Sequence, residues 1–247
     1  MQNREEWQPS KFVYHKGKLL ASRDGGEVSW SSRLIVDIVA SFYDRNLKQH
    51  ARGRLLDLGC GKVPLYATYR ELVTDTICVD WGNTLHKNPH LDLELDLTDN
   101  MPFDDNEFDT IILSDVLEHI PVPEHLWKEM ARILSKNGKI IMNVPFFYWL
   151  HEQPHDYYRY TEFALRRFVE ISGMQLMQLT SIGGAPEILA DILAKNILRL
   201  PKLGPAAALF IQWCAWNLIR TSAGKRVSDA TSRLFPLGYF LIAEKPD

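Results

Sequence analysis

From about residue 29 onward the apolar positions alternate between a helical and an extended period. Ser31 or Ser32 can cap a helix in which Leu34, Ile35, Ile38, Val39, Phe42, Tyr43 and Leu47 recur at three and four, with Asp37, Asp44, Arg45 and Lys48 facing water. The short run Arg54 to Leu58 reads as a strand, Gly59-Cys60-Gly61 as a turn, and Tyr66, Tyr69 and Leu72 as one face of a helix. Thr76 to Val79 is a second strand that ends on Asp80, and Leu91 to Asp96 a third. Asp109 to Leu113 is a fourth strand. A helix through Leu126, Met130, Ile133 and Leu134 follows, stopped by Asn137-Gly138 before a fifth strand, Lys139 to Val144. Thr161 to Ser172 is helical and closed by Gly173, Gln175 to Ile182 is a sixth strand, and Tyr239 to Ala243 a last one. Strands alternating with helices in this way predict an α/β fold with a parallel sheet covered on both faces. A helical interruption over 184–235 precedes the last strand, inside what reads as one domain over 1–247.

Composition adds little that changes this picture. The 247 residues are 46% hydrophobic and 24% charged, the proportions of an ordinary globular protein. A net charge of -3 gives no global attraction to nucleic acid, so none is expected as a partner. Cys60, Cys78 and Cys214 lie far apart and suit a reducing compartment. The start, MQNREEWQPSKF, lacks the positive end and apolar run of a secretory signal, and a cytoplasmic location is the expectation.

The glycine turn changes the picture more. In an open parallel sheet ligands bind beyond the carboxyl ends of the strands, where glycines let the backbone approach closely. Asp80 follows Gly59 by 21 residues, near the spacing at which an acid closing the second strand accepts hydrogen bonds from a ribose diol. The expected ligand is therefore a nucleoside. The dinucleotide fingerprint would place a third glycine at position 64, and this chain has Pro64, so a nucleoside without a pyrophosphate fits better. A nucleotide-binding oxidoreductase is the weaker alternative for that reason.

The run LLDLGCGK, with VDW at 79–81, LDLTD at 95–99 and FDTIILSDVLEHIPVPEHLWKEMARILSKNGKIIMNVP, resembles class I S-adenosylmethionine-dependent methyltransferases of the type 11 kind. The resemblance implies a Rossmann-like sheet of seven strands, mostly parallel, whose antiparallel last strand inserts beside the fifth, with the helical insertion just before it. It implies S-adenosylmethionine as cofactor. The backbone of Gly59, Cys60 and Gly61 would lie against its methionine tail, and Asp57 would orient its ammonium. Asp80 and Trp81 would meet the ribose, Asp96 and Leu97 the adenine, while Ser114 and Asp115 close the pocket. One departure is Val63, where many members carry a small residue.

The stretch His151-Glu152-Gln153-Pro154-His155 matches the letters of a zinc-protease helix. Pro154 sits inside the turn that would bring the histidines together, so no metal ligands are assigned there. In this topology the loop after the fifth strand overhangs the ligand end of the sheet. His155 and His151 are then candidate bases, with Asp156, Tyr157, Tyr158, Arg159 and Tyr160 as acceptor contacts. A competing expectation is that His155 and Asp156 cap the helix at Thr161. HDYYRYT also resembles an element of methyltransferases associated with bacterial surface-polysaccharide enzymes. Glu118 and His119 either line the substrate side, with His119 as a third candidate base, or fix their loop by hydrogen bonds.

Between residues 195 and 233 of the insertion, Lys195, Arg199, Lys202, Arg220, Lys225, Arg226 and Arg233 stand against the single acid Asp229, and residues 203–219 carry no charge. That segment suits three partners equally: a lipid surface as a peripheral contact, the substrate pocket, or a second subunit as a homodimer. The function expected is methyl transfer to a small-molecule or glycan-like acceptor at oxygen. A catalytically idle methyltransferase-like interaction module is a further alternative, opposed by the intact carboxylates Asp57, Asp80 and Asp96.

Overall fold

The computed structural model describes residues 1–82 and 88–247. A hairpin of β1 (Phe12–His15) and β2 (Lys18–Ala21) comes first, then α1 (Arg33–His50), β3 (Arg54–Leu58), the single turn α2 (Tyr66–Tyr69) and β4 (Asp75–Asp80). After β5 (Leu93–Glu94) come β6 (Phe108–Ser114), α3 (Pro123–Ile133), β7 (Leu134–Pro145), α4 (Glu162–Ile171) and β8 (Gln175–Ile182). Three helices, α5 (Ala185–Ile197), α6 (Gly204–Arg220) and α7 (Ser222–Thr231), precede β9 (Gly238–Glu244).

Seven strands form one sheet in the order β5-β4-β3-β6-β7-β9-β8. The pairs β3 with β4, β3 with β6, β4 with β5 and β6 with β7 are parallel. The last strand runs antiparallel beside β7, where Asn137 donates to the Lys245 carbonyl and Lys245 to that of Gly138. The Rossmann-like sheet, its strand count and the place of the last strand are those expected from the sequence. The central strands β3, β6 and β9 are buried along almost their whole length, as a sheet covered on both faces requires.

Several boundaries differ for local reasons. The strand expected over 91–96 shrinks to two residues because Asp92 turns its carboxylate back onto the Cys78 amide at 2.8 Å. The α3 helix stops at Ile133: Leu134 is already extended and pairs with Phe108, and the strand then bulges before Thr110 meets Lys139. Asn137, at φ +59, serves that bulge rather than a helix end. At the start of α1 a side chain from far along the sequence acts: Gln212 Oε1 accepts from the Leu34 amide at 2.9 Å.

By their internal contacts the residues form two compact units. The first holds 1–8, 45–180 and 239–247, with a core on one face of the sheet around Leu56, Ile111, Trp127, Ile140 and Leu241. The second holds 9–44 and 181–238. Its small core joins Leu34 and Ile38 of α1 to Ala190 of α5 and Ile211, Ala215 and Trp216 of α6. Polar groups are also buried here: Ser228 Oγ donates to Glu187 Oε1 at 2.6 Å, and Lys195 pairs with Asp191 at 2.7 Å. By contrast Phe210 and Trp213, stacked on each other, are 63% and 61% exposed. No helix among the described residues is long and apolar enough to cross a membrane.

Candidate active site

The carboxyl ends of β3 and β4 are tied together by one side chain. Asp80 accepts from the Gly61 amide on Oδ2 at 2.9 Å and from the Trp81 amide on Oδ1 at 2.8 Å. Between them the turn rises on left-handed residues, Gly59 at φ +65 and Gly61 at φ +49. A Cβ on Gly59 would fall 2.4 Å from Val116 Cγ2, so the loop after β6 can lie on the turn only because residue 59 is glycine. Around Gly61 the reverse holds: among the described residues nothing lies within 4 Å of a Cβ position. Such a cradle, beside an acid whose oxygens retain lone pairs, fits a nucleoside with a polar tail.

Val63 is the departure with a structural price. It is left-handed at φ +51, a conformation its branched Cβ disfavours, and it is fully buried. Three bonds hold it: its amide donates to the Cys60 carbonyl at 2.8 Å, and its carbonyl accepts from Trp7 Nε1 at 3.1 Å and from the Tyr66 amide at 3.2 Å.

Beneath the turn, Asp57 is buried and accepts from the Tyr69 hydroxyl at 3.1 Å. Burial pushes its pKa up to about 7; the Tyr69 bond opposes that shift and the neighbouring Asp80 charge reinforces it. Among the adenine candidates, Asp96 is exposed and spends Oδ1 on the Thr98 amide and hydroxyl, while Leu97 is buried in the core. Ser114 and Asp115 are joined through Asn143: Ser114 Oγ donates to Asn143 Oδ1 at 3.0 Å, and Asn143 Nδ2 to Asp115 Oδ1 at 2.5 Å. Asn143 escaped the sequence reading, although a lone polar residue inside the run KIIMNV was the available signal.

Loop 146–160 is anchored to the loop after β6. The Glu118 carbonyl accepts from the amides of Tyr157 and Tyr158, at 2.9 and 3.2 Å. The Tyr158 and Tyr160 hydroxyls donate to the carbonyls of Pro121 and Leu117, both at 3.0 Å. Asp156 and Arg159 form a two-pronged pair at 2.5 and 2.8 Å, and Arg159 also reaches the Tyr148, Tyr158 and Trp149 carbonyls. Their contacts therefore hold the loop's own course. The Arg159 guanidinium is the main cause that lowers the Asp156 pKa to about 2, against burial and with help from the His151 amide and ring. Thr161 caps α4, accepting from the Ala164 amide, so neither His155 nor Asp156 is the cap.

The three candidate histidines are gathered, but not as one set. His155 stacks edge-on against Trp81, with centroids 4.9 Å apart, and faces the Tyr157 hydroxyl at 3.3 Å. His119 and His151 meet each other edge-on at 4.8 Å, over the buried Glu118. Residues 151–155 form no helix, so His151 and His155 do not share a face. Burial raises the Glu118 pKa against the pull of His151 and His119. For His151 burial acts downward, but Glu118 and Asp156 outweigh it and the net shift is upward. Trp81 thus touches the loop that carries His151 and His155, and the His155 carbonyl in turn lies 2.8 Å from His119 Nδ1 on the loop after β6.

Residues 56–142 match the family model described as a methyltransferase domain. These residues carry a methyltransferase domain. Solved structures share the fold across most of the chain. The [4+2]-cyclase SpnF is 17% identical with a TM-score of 0.55, over 85% of this chain and 82% of its own. Geranyl diphosphate methyltransferase, solved with S-adenosylmethionine, is 13% identical with a TM-score of 0.55, over 90% and 93%. A phosphoethanolamine N-methyltransferase of Haemonchus contortus, solved with S-adenosylhomocysteine, is 17% identical with a TM-score of 0.50, over 81% of this chain and 52% of its own. No curated protein matches the methyltransferase chain by sequence.

The strain at Val63 yields a test. Glycine there relieves the left-handed cost, about 1–2 kcal/mol, that alanine retains, while both lose the same buried methyls. Val63→Gly is expected to melt above Val63→Ala, reversing the usual order of those two residues. Paired thermal unfolding curves with Val63→Ala the higher would refute the strain.

Proposed function

We propose that this methyltransferase moves the methyl group of S-adenosylmethionine to a hydroxyl of a small-molecule or glycan-like acceptor. The observation that carries this reading is the continuous contact from Asp80 and Trp81, through His155, to the polar cluster of Glu118, His119 and His151. The cofactor supplies, when bound, a methyl already activated on a sulfonium. The chain's residues then have three tasks. Gly59, Cys60 and Gly61 bed the methionine tail on bare backbone, Asp57 faces its ammonium, and Asp80 takes the ribose diol. Asp96, Leu97, Ser114 and Asp115 enclose the adenine end. On the other side Tyr157, with Tyr158, offers an exposed aromatic surface to the acceptor, while Asp156, Arg159 and Tyr160 keep that surface in place.

Orientation supplies most of the rate, a proximity effect worth up to roughly 7–11 kcal/mol. A hydroxyl nucleophile also has to shed a proton, and the cluster of His119, His151 and Glu118 is the place for it, with His155 at its rim. The domain reading is of one methyltransferase domain over 1–247, in which 184–235, with α5, α6 and α7, is an insertion.

Calorimetry with S-adenosylmethionine, S-adenosylhomocysteine and NAD tests the site. The first two are expected to bind and NAD to fail, and Asp80→Ala is expected to lose binding with an unchanged fold by circular dichroism. Binding of NAD alone would return the oxidoreductase, and binding of none the idle module.

Asp57 gives the affinity a pH dependence. Its carboxylate is wanted ionised beside an ammonium, yet burial leaves it half-protonated near pH 7 in the free protein. Affinity for S-adenosylhomocysteine should therefore rise about tenfold from pH 6 to pH 8, with proton release on binding, and Asp57→Asn should flatten the profile. A wild-type profile as flat as that of the variant would remove Asp57 from the ammonium.

The exposed Phe210 and Trp213 on α6, together with the exposed cations Arg220, Lys225 and Arg226, support a peripheral contact with anionic lipid. Sedimentation with phosphatidylserine vesicles is expected, and is expected to fail for the double variant Lys225→Glu, Arg226→Glu. Indifference to lipid, with a dimer in sedimentation velocity, would assign the face to a second copy instead.

A further inference from the structure

Glu118 is fully buried, and among the described residues neither of its carboxylate oxygens has a hydrogen-bond partner. Two imidazole nitrogens face one of them: His119 Nε2 and His151 Nε2 each lie 3.6 Å from Glu118 Oε1. Both separations exceed hydrogen-bond length. His119 Nε2 is itself buried without a partner.

The far side of each ring fixes its tautomer. His119 Nδ1 lies 2.8 Å from the His155 carbonyl oxygen. His151 Nδ1 lies 3.3 Å from the Trp149 carbonyl and 3.3 Å from Asp156 Oδ2. Carbonyls and carboxylates only accept, so each Nδ1 carries a proton, and in the neutral rings each Nε2 presents a lone pair toward Glu118. In that state three electron-rich atoms converge on one point, the donor arrangement that a cation requires. All three donor atoms lie within 4.8 Å of one another.

The geometry points to a divalent transition-metal site, of the zinc type, held by Glu118, His119 and His151. Bonds of about 2.0–2.2 Å place the donors of a tetrahedral ion about 3.3–3.6 Å apart, which the two 3.6 Å separations to Glu118 nearly meet, while the two imidazole nitrogens, within 4.8 Å of each other, have to draw together by up to about an ångström. Two imidazoles and one carboxylate suit a borderline cation and leave a coordination position open. The outer partners fit as well: a ligating histidine normally donates its other N–H to a carbonyl or carboxylate, as both rings do here. Glu152, exposed, with Oε2 3.9 Å from His119 Nε2, stands where it can close the fourth position or swing clear. The HEQPH letters thus contribute one ligand, His151, whose partner is His119 from the loop after β6 and not His155. The use of the open position rests on the proposed methyl transfer: there it would take the acceptor's oxygen, which selects acceptors with a hydroxyl able to ligate, such as a vicinal diol or a phenol.

Titration of the chelator-stripped, untagged full chain with zinc chloride, and with cobalt(II) read by its visible absorption, tests the site. One ion per chain is expected, with the intense bands of a four-coordinate cobalt centre. Glu118→Gln and His151→Ala should each weaken zinc binding by roughly 100-fold or more. Their melting temperature and their affinity for S-adenosylhomocysteine should stay close to wild type. Zinc binding that is absent, or equally tight in both variants, overturns the site. Failure of S-adenosylhomocysteine to bind a chain that still takes up zinc would sink the methyl-transfer reading alone.

Discussion

Parallel strands deliver their carboxyl ends to one edge of the sheet, and in this chain those ends and the loops beyond them carry acids: Asp57, Asp80, Asp115 and Glu118. Crowded negative charge in a partly desolvated place is costly, and each acid is relieved in a different way. Asp80 takes two backbone amides, and by doing so shapes the glycine turn. Asp57 is held toward its neutral form with a tyrosine hydroxyl beside it. Asp115 receives the amide of Asn143. Glu118 receives no hydrogen bond among the described residues and faces two imidazoles. The order of these solutions, from amides to imidazoles, runs from the glycine turn to the loop after β6.

The acceptor side depends on a second kind of economy, in which backbone groups fix the loops and leave selected side chains unspent. Glu118 anchors the 157–158 segment through its carbonyl, which leaves its carboxylate out of the loop's own bonding. Arg159 and Asp156 are used up by the loop, and their pairing puts one Asp156 oxygen against His151. Val116 lies on Gly59 only two residues before Glu118, so the loop that touches the glycine turn is also the one that carries the acid cluster. Rigid placement of this kind is what a transfer reaction needs, because its rate depends on alignment more than on any one group.

The second unit follows the opposite pattern. Its polar groups are partly buried and mutually bonded, as with Glu187, Ser228 and the Asp191–Lys195 pair, whereas Phe210, Trp213 and Leu218 stand at the surface of α6. A helix that places aromatic rings outward while Gln212 points inward to cap α1 has its polarity set by tertiary bonds, not by solvent.

The sequence by itself determined the sheet, the glycine turn and the acid that closes β4, because these rest on local rules: strand period, left-handed freedom at Gly59 and Gly61, and a fixed spacing to Asp80. It also placed Thr161 to Gly173 and the last strand close to their observed bounds. The tertiary structure alone decided what lies far apart in sequence. No spacing rule joins Gln212 to Leu34, Trp7 to Val63, or Asn143 to Ser114 and Asp115. The histidines show the division most plainly. Pro154 was legible as a bar to the 151–155 helix, but that His151 would meet His119 over a buried glutamate depended on two loops folding against each other. Side-chain convergence of that kind is a property of three-dimensional packing, which one-dimensional periodicity cannot encode.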